Sequence, residues 1–169
     1  MLGTGCVEAD EGPGMMLHFA SLKEGVVIAC KGGRLASGKR FPGPGALGRT
    51  RDWVTGGATE GAAPDGRQLP EWVEFEWKEY VSDKDYALEE LKALPVHVER
   101  VTIRERVPQD VIDEVIRSRR ATPPGKLPDK SLQLNFVWTD SGIKFRWLFR
   151  EKDIPRRMSR SGGDVIEGP

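Results

Sequence analysis

Apolar and charged residues alternate without a fault through Val73-Glu74-Phe75-Glu76-Trp77-Lys78. A strand puts successive side chains on opposite faces, so this run predicts a half-buried strand with Val73, Phe75 and Trp77 turned inward. The same period carries Leu132, Leu134, Phe136 and Trp138 and, after Asp140-Ser141-Gly142, Ile143, Phe145, Trp147 and Phe149. Two in-phase strands joined by a glycine-containing turn predict a hairpin whose aromatic face dominates the core and whose other face is polar to basic. Between these segments, residues 96–107 are rich in β-branched side chains. There Val101, Ile103 and Val107 are out of phase with Val96 and Val98, which predicts a bulge at Glu99-Arg100.

Pro108 stops that strand and suits the first turn of a helix, where its missing N–H costs nothing. Val111, Ile112, Val115 and Ile116 make one apolar stripe, with Asp110 at the amino end and Arg117, Arg119 and Arg120 at the carboxyl end to complement the dipole. A helix lying on the sheet and ended by Pro123-Pro124-Gly125 follows. Residues 82–94, with Leu88, Leu91 and Leu94 among charges, predict a helical turn or two or else a loop.

The remainder is less regular. Two apolar runs, Met15 to Phe19 and Val26 to Cys30, suggest a hairpin over residues 15–31. Residues 32–70 hold ten glycines and four prolines in 39 positions, which predicts an irregular loop or linker through residue 68 with Trp53 and Val54 as its anchors. Residues 1–14 and 152–169 read as disordered arms. The expected fold is therefore mainly β (α+β): an antiparallel sheet or sandwich over residues 69–151, with one short helix packed on it.

At 169 residues and 38% apolar content, the chain suits one domain with arms rather than a multi-domain enzyme. Lys and Arg number 26, as do Asp and Glu, so net charge gives no reason to expect a nucleic acid or an anionic membrane. The balance hides an asymmetry. Residues 71–107 hold ten acids and six bases, whereas residues 117–160 hold twelve bases and four acids, enough to offer a basic surface to an acidic partner.

The two cysteines, Cys6 and Cys30, allow at most one bridge, and their spacing matches no metal or redox motif. Cys30 ends an apolar run and reads as a small buried hydrophobe. Cys6 follows Met1-Leu2-Gly3-Thr4-Gly5 and precedes Glu8, Asp10 and Glu11, a pattern like the lipidation site of a bacterial lipoprotein. No apolar signal core precedes it, so either the start lies further upstream or the similarity is accidental.

No catalytic set emerges. His18 and His97 each stand in strand-like runs without the three or four convergent ligands a zinc site needs. Glu74 and Glu76 share a solvated strand face rather than the desolvating cleft that paired catalytic carboxylates require. The glycines of residues 43–45 and 56–57 lack the Lys-Ser/Thr of a phosphate loop. Phe136, Trp138, Phe145 and Trp147 project opposite to Lys144, Arg146 and Arg150, so they read as core rather than as a stacking platform for single-stranded nucleic acid. The residues thus suggest a non-enzyme with no metal and no cofactor.

Leu69-Pro70-Glu71-Trp72-Val73-Glu74-Phe75-Glu76-Trp77, a second strand running into Val107-Pro108 and a helix, and a terminal strand–Asp-Ser-Gly–strand hairpin with Lys144 and Trp147 resemble a family of proteobacterial lipoproteins catalogued as a domain of unknown function. The likeness covers residues 53–149. Members beside lipase or phospholipase effectors of type VI secretion systems resemble immunity proteins that neutralise the toxin in the periplasm. The resemblance implies a monomeric inhibitor, periplasmic or anchored to the outer membrane, that occludes a cognate toxin. It implies a partner surface for which Trp53, Trp72, Arg104, Lys144, Arg146 and Arg150 are the candidates. An envelope lipoprotein or small-ligand module, with a pocket lined by the hairpin aromatics, is the alternative; a nucleic-acid-binding domain ranks below it.

Overall fold

The computed structural model describes residues 12–54, 57–60, 68–155 and 158–167. The faultless alternation of residues 73–78 becomes β5 (Trp72–Val81), and the terminal hairpin becomes β7 (Lys130–Thr139) and β8 (Gly142–Glu151). The other strands are β1 (Met16–Ser21), β2 (Val26–Leu35), β3 (Arg40–Leu47), β4 (Ala58–Glu60), β6 (His97–Thr102) and β9 (Ser161–Gly163). They form a five-stranded sheet, β4-β1-β7-β8-β9, and a four-stranded sheet, β3-β2-β5-β6. Every pairing is antiparallel except β1 with β7. The fold is mainly β, as the alternating runs led one to expect.

The two sheets meet face to face through aromatic rings. Phe75 from the four-stranded sheet lies 5.0 Å from Phe136 and 5.5 Å from Trp138 in edge-on arrangements, and Phe19, Phe41 and Phe145 close the cluster. Phe19, Phe75, Phe136 and Phe145 are fully buried, and removing one such ring from water contributes roughly 1.5–3 kcal/mol. The helix α2 (Gln109–Arg120) begins straight after Pro108 and buries Val111, Ile112 and Val115 in the same core. Its outer flank is tied to β7, where the Lys130 ammonium donates to Glu114 at 3.1 Å. The shorter helix α1 (Leu88–Ala93) buries no residue, and its carboxyl end is capped by Lys78 Nζ, which donates to the carbonyls of Leu91 and Lys92 at 3.0 and 3.2 Å.

Four expectations need correction. Residues 15–31 are not a hairpin, because β1 and β2 belong to different sheets and β1 runs parallel to β7. Residues 32–68 are not only loop: β2 continues into them and β3 lies within them. β3 carries Pro42 and Pro44, which lack a ladder donor, and it stands at a sheet edge where that lack is tolerated. Glycines on both strands permit their close approach: a Cβ on Gly32 of β2 would collide with the Phe41 carbonyl, and one on Gly43 of β3 with the Gly32 backbone. The tail after residue 152 contributes β9 to the five-stranded sheet. Finally, β6 pairs with β5 in unbroken register, so there is no bulge at Glu99-Arg100; Val98 is exposed on the outer face and Glu99 turns inward.

Glu99 explains the phase break. Its carboxylate accepts from the Ile143 N–H at 2.5 Å, tying the edge of the four-stranded sheet to the start of β8. Gly142 beside it takes φ +104°, and any Cβ there would collide with that carboxylate. A polar residue on the inward phase of β6 is thus a link between sheets rather than a register fault. The expected arm over residues 1–14 lies almost wholly outside the described residues, and a Cys6–Cys30 bridge and Cys6 lipidation lie outside them entirely. Among the described residues no helix is long and apolar enough to cross a membrane.

Candidate functional site

The outer face of the five-stranded sheet is built around a row of paired residues, His18, Asn135 and Arg146, on β1, β7 and β8. His18 and Asn135 are only 4% and 2% exposed, so something must cover a face that alternation alone would leave wet. The loop after β3 provides part of that cover. Thr50 donates through its N–H and its hydroxyl to the Ser21 carbonyl, His18 Nε2 lies 3.0 Å from the Trp53 carbonyl, and the Arg146 guanidinium sits 5.9 Å from the Trp53 ring. Trp53 therefore docks onto the domain, as an indole in a glycine-rich segment should.

Arg146 is fully engaged within the chain. It donates to the Asp164 carbonyl at 2.8 Å and to the Ser161 hydroxyl at 3.1 Å, so it also fastens the tail onto β8. Arg104 is likewise committed, donating to the Leu69 carbonyl through Nε and Nη2 at 3.1 and 2.6 Å. Both side chains position protein segments, which is a different task from meeting a partner. Lys144 stands at the turn end of β8 and Arg150 toward its other end, both half-buried on the outer face.

Trp72 lies on the opposite side of the molecule. Alternation along β5 turns it outward with Glu74 and Glu76, and antiparallel pairing sets it beside the outward residues of β6. The Arg100 guanidinium stacks 3.7 Å above the Trp72 ring. Glu74 then bridges two cations, accepting from Arg34 at 2.7 Å and from Arg100 at 3.2 Å. The hydrogen bond from Arg34 outweighs partial desolvation and, with Arg100, holds the Glu74 carboxyl below its ordinary value. Val98, more than half exposed, extends the patch along β6.

The six candidates are consequently not one surface. Trp53, Lys144, Arg146 and Arg150 belong to the outer face of one sheet, Trp72 to that of the other, and Arg104 to a short turn between β6 and α2. Arg34, Arg100 and Val98 were missed by sequence reasoning. Arg100 had a signal: it lies directly across from Glu74 once β5 and β6 are paired in register. Arg34 had none, because the end of β2 fell in a segment read as loop.

The aromatic residues of the hairpin are core. Phe136, Trp138, Phe145 and Trp147 are at most 6% exposed, which leaves them unable to stack on nucleobases or to line a pocket. Among the described residues no cluster of three or more His, Cys, Asp or Glu side chains has the geometry to hold a metal ion. Cys30 is buried, its thiol pushed up to about 11 chiefly by desolvation. No protein-family model, curated protein or solved structure matches the chain.

Proposed function

We propose that this chain is a non-catalytic binding protein that neutralises a lipase-like toxin of a type VI secretion system by covering it. The observation that supports this reading best is the Trp72–Arg100 stack on the outer face of the four-stranded sheet, flanked by Arg34, Glu74 and exposed Val98. Tryptophan and arginine are the residue types that most often dominate interface energetics, and here the ring and guanidinium hold each other in place before any partner arrives. The core behind them is a rigid aromatic layer, which keeps the ordering cost of binding low.

An occluding inhibitor needs about 800 Å² on its own side, an area that a four-stranded sheet face and its edge can supply. The periplasm is the proposed meeting place, with the protein acting as a monomer and without a cofactor. The test is a titration of a lipase-like type VI effector with this protein, using Trp72→Ala and Arg100→Ala beside the wild type. The proposal expects stoichiometric loss of lipase activity and at least tenfold weaker inhibition by either variant, a difference of about 1.4 kcal/mol. Undiminished activity at excess inhibitor would remove it.

A further inference from the structure

A second site lies at the opposite sheet, away from the Trp72 patch. Where β7 turns into β8, the chain forms a half-open cleft of about 490 Å³. Three distant segments contribute its polar lining: the loop after β3 gives Arg49 and Arg51, the turn and the start of β8 give Asp140, Ser141 and Lys144, and the tail gives Glu167. The volume lies within the roughly 300–1,000 Å³ usual for small-molecule sites.

The cations differ in what they already hold. Arg49 is ion-paired with Glu24 at 3.0 Å. The side chains of Lys144 and Arg51 make no hydrogen bond or ion pair with any of the described residues, in contrast to Arg104 and Arg146, whose guanidinium groups are spent on protein oxygens. Ser141 adds a hydroxyl to the same lining. Asp140 and Glu167 line the same cleft, so an extended polyanion meets repulsion, whereas a small one can seat between Arg51 and Lys144.

We propose that this cleft binds a small anion bearing two acidic groups, of the phosphate or carboxylate class, with Lys144 and Arg51 as its two charge partners. The site is independent of the toxin-binding face, and either proposal can fail alone. The experiment is calorimetric titration of the full chain with pyrophosphate and, separately, with succinate, accompanied by amide shift mapping at Ser141 and Gly142. Expected is saturable one-to-one binding of at least one probe with Kd at or below about 1 mM, shifts centred on the turn, and at least tenfold weaker binding by Lys144→Gln/Arg51→Gln with an unchanged melting temperature. Which probe binds tighter separates a phosphate ligand from a carboxylate one. Absence of saturation with both probes, binding that the double variant leaves intact, or binding of a hexa-aspartate peptide alone would each overturn the proposal, the last in favour of an acidic protein segment.

Discussion

Phe75 is the keystone of the aromatic layer, and its truncation shows how far the layer holds the sandwich together. The ring is fully buried and has edge-on partners in Phe19, Phe41, Phe136 and Trp138, at 6.4, 6.0, 5.0 and 5.5 Å. Phe→Ala in a close-packed core costs about 3–5 kcal/mol through lost transfer energy and a residual cavity. Each favourable ring pair adds about 0.5–1.5 kcal/mol beyond area, though the pairs share one ring and do not sum. Walls from both sheets limit collapse, so Phe75→Ala belongs at the upper end, about 4–5 kcal/mol. For a chain of this length that corresponds to a fall of roughly 8–20 °C in melting temperature.

Urea unfolding followed by circular dichroism measures the loss, and Phe75→Leu serves as control with an expected cost near 1–2 kcal/mol, since most of the volume remains. A double-mutant cycle between Phe75→Leu and Phe136→Leu should show coupling of about 0.5–1.5 kcal/mol. A loss below about 2 kcal/mol for Phe75→Ala, or no coupling in the cycle, would refute the claim that this layer joins the sheets.

Three further outcomes are expected. Gly142→Ala should cost about 1–3 kcal/mol, because it forces a side chain into a positive-φ position and against Glu99, and thermal melting reads the difference. Acid should weaken the fold through its paired carboxylates. Arg34 holds Glu74 below its ordinary value, Arg160 does the same for Asp110, and at Glu79 burial pushes the carboxyl up but hydrogen bonds from Lys23 and Trp77 win and leave it lowered. A depressed folded-state pKa stabilises fully above the unfolded value and is lost as pH falls through the folded one. Stability should therefore hold above about pH 5 and drop below about pH 4, and Glu79→Gln should make that drop shallower in denaturation series across this range. Cys30 should resist alkylation at pH 8 in the native state and react once the chain is unfolded, as peptide mapping by mass spectrometry can record.

The segments legible in the sequence were those whose burial follows a local period. β5 and β8 each turn one face to the core and α2 carries a single stripe, so spacing alone revealed them; β7 is the exception, legible because apolar and polar residues alternate in its sequence although Gln133, Asn135 and Val137 are buried as well. β1 was harder: all but the first of its residues are buried, so no alternation marks it, and of its two neighbours in the sheet the longer, β7, is more than a hundred residues away. β3 hides behind glycines and prolines that an edge position permits, and β9 is three residues that pair only because β8 is there to receive them. The candidate site was legible by residue type and not by grouping. Periodicity placed Trp72 and Arg146 on outer faces, but only the two-sheet topology shows that these faces point apart.

The Trp72–Arg100 face carries the central proposal, and inhibition of a lipase-like type VI effector tests it most directly. Hydrolysis should fall linearly to zero at one inhibitor per toxin, and Trp72→Ala, folded and melting within a few degrees of wild type, should require at least tenfold more protein. Full lipase activity at a large molar excess of wild-type protein, or equal potency of Trp72→Ala and wild type, would contradict it.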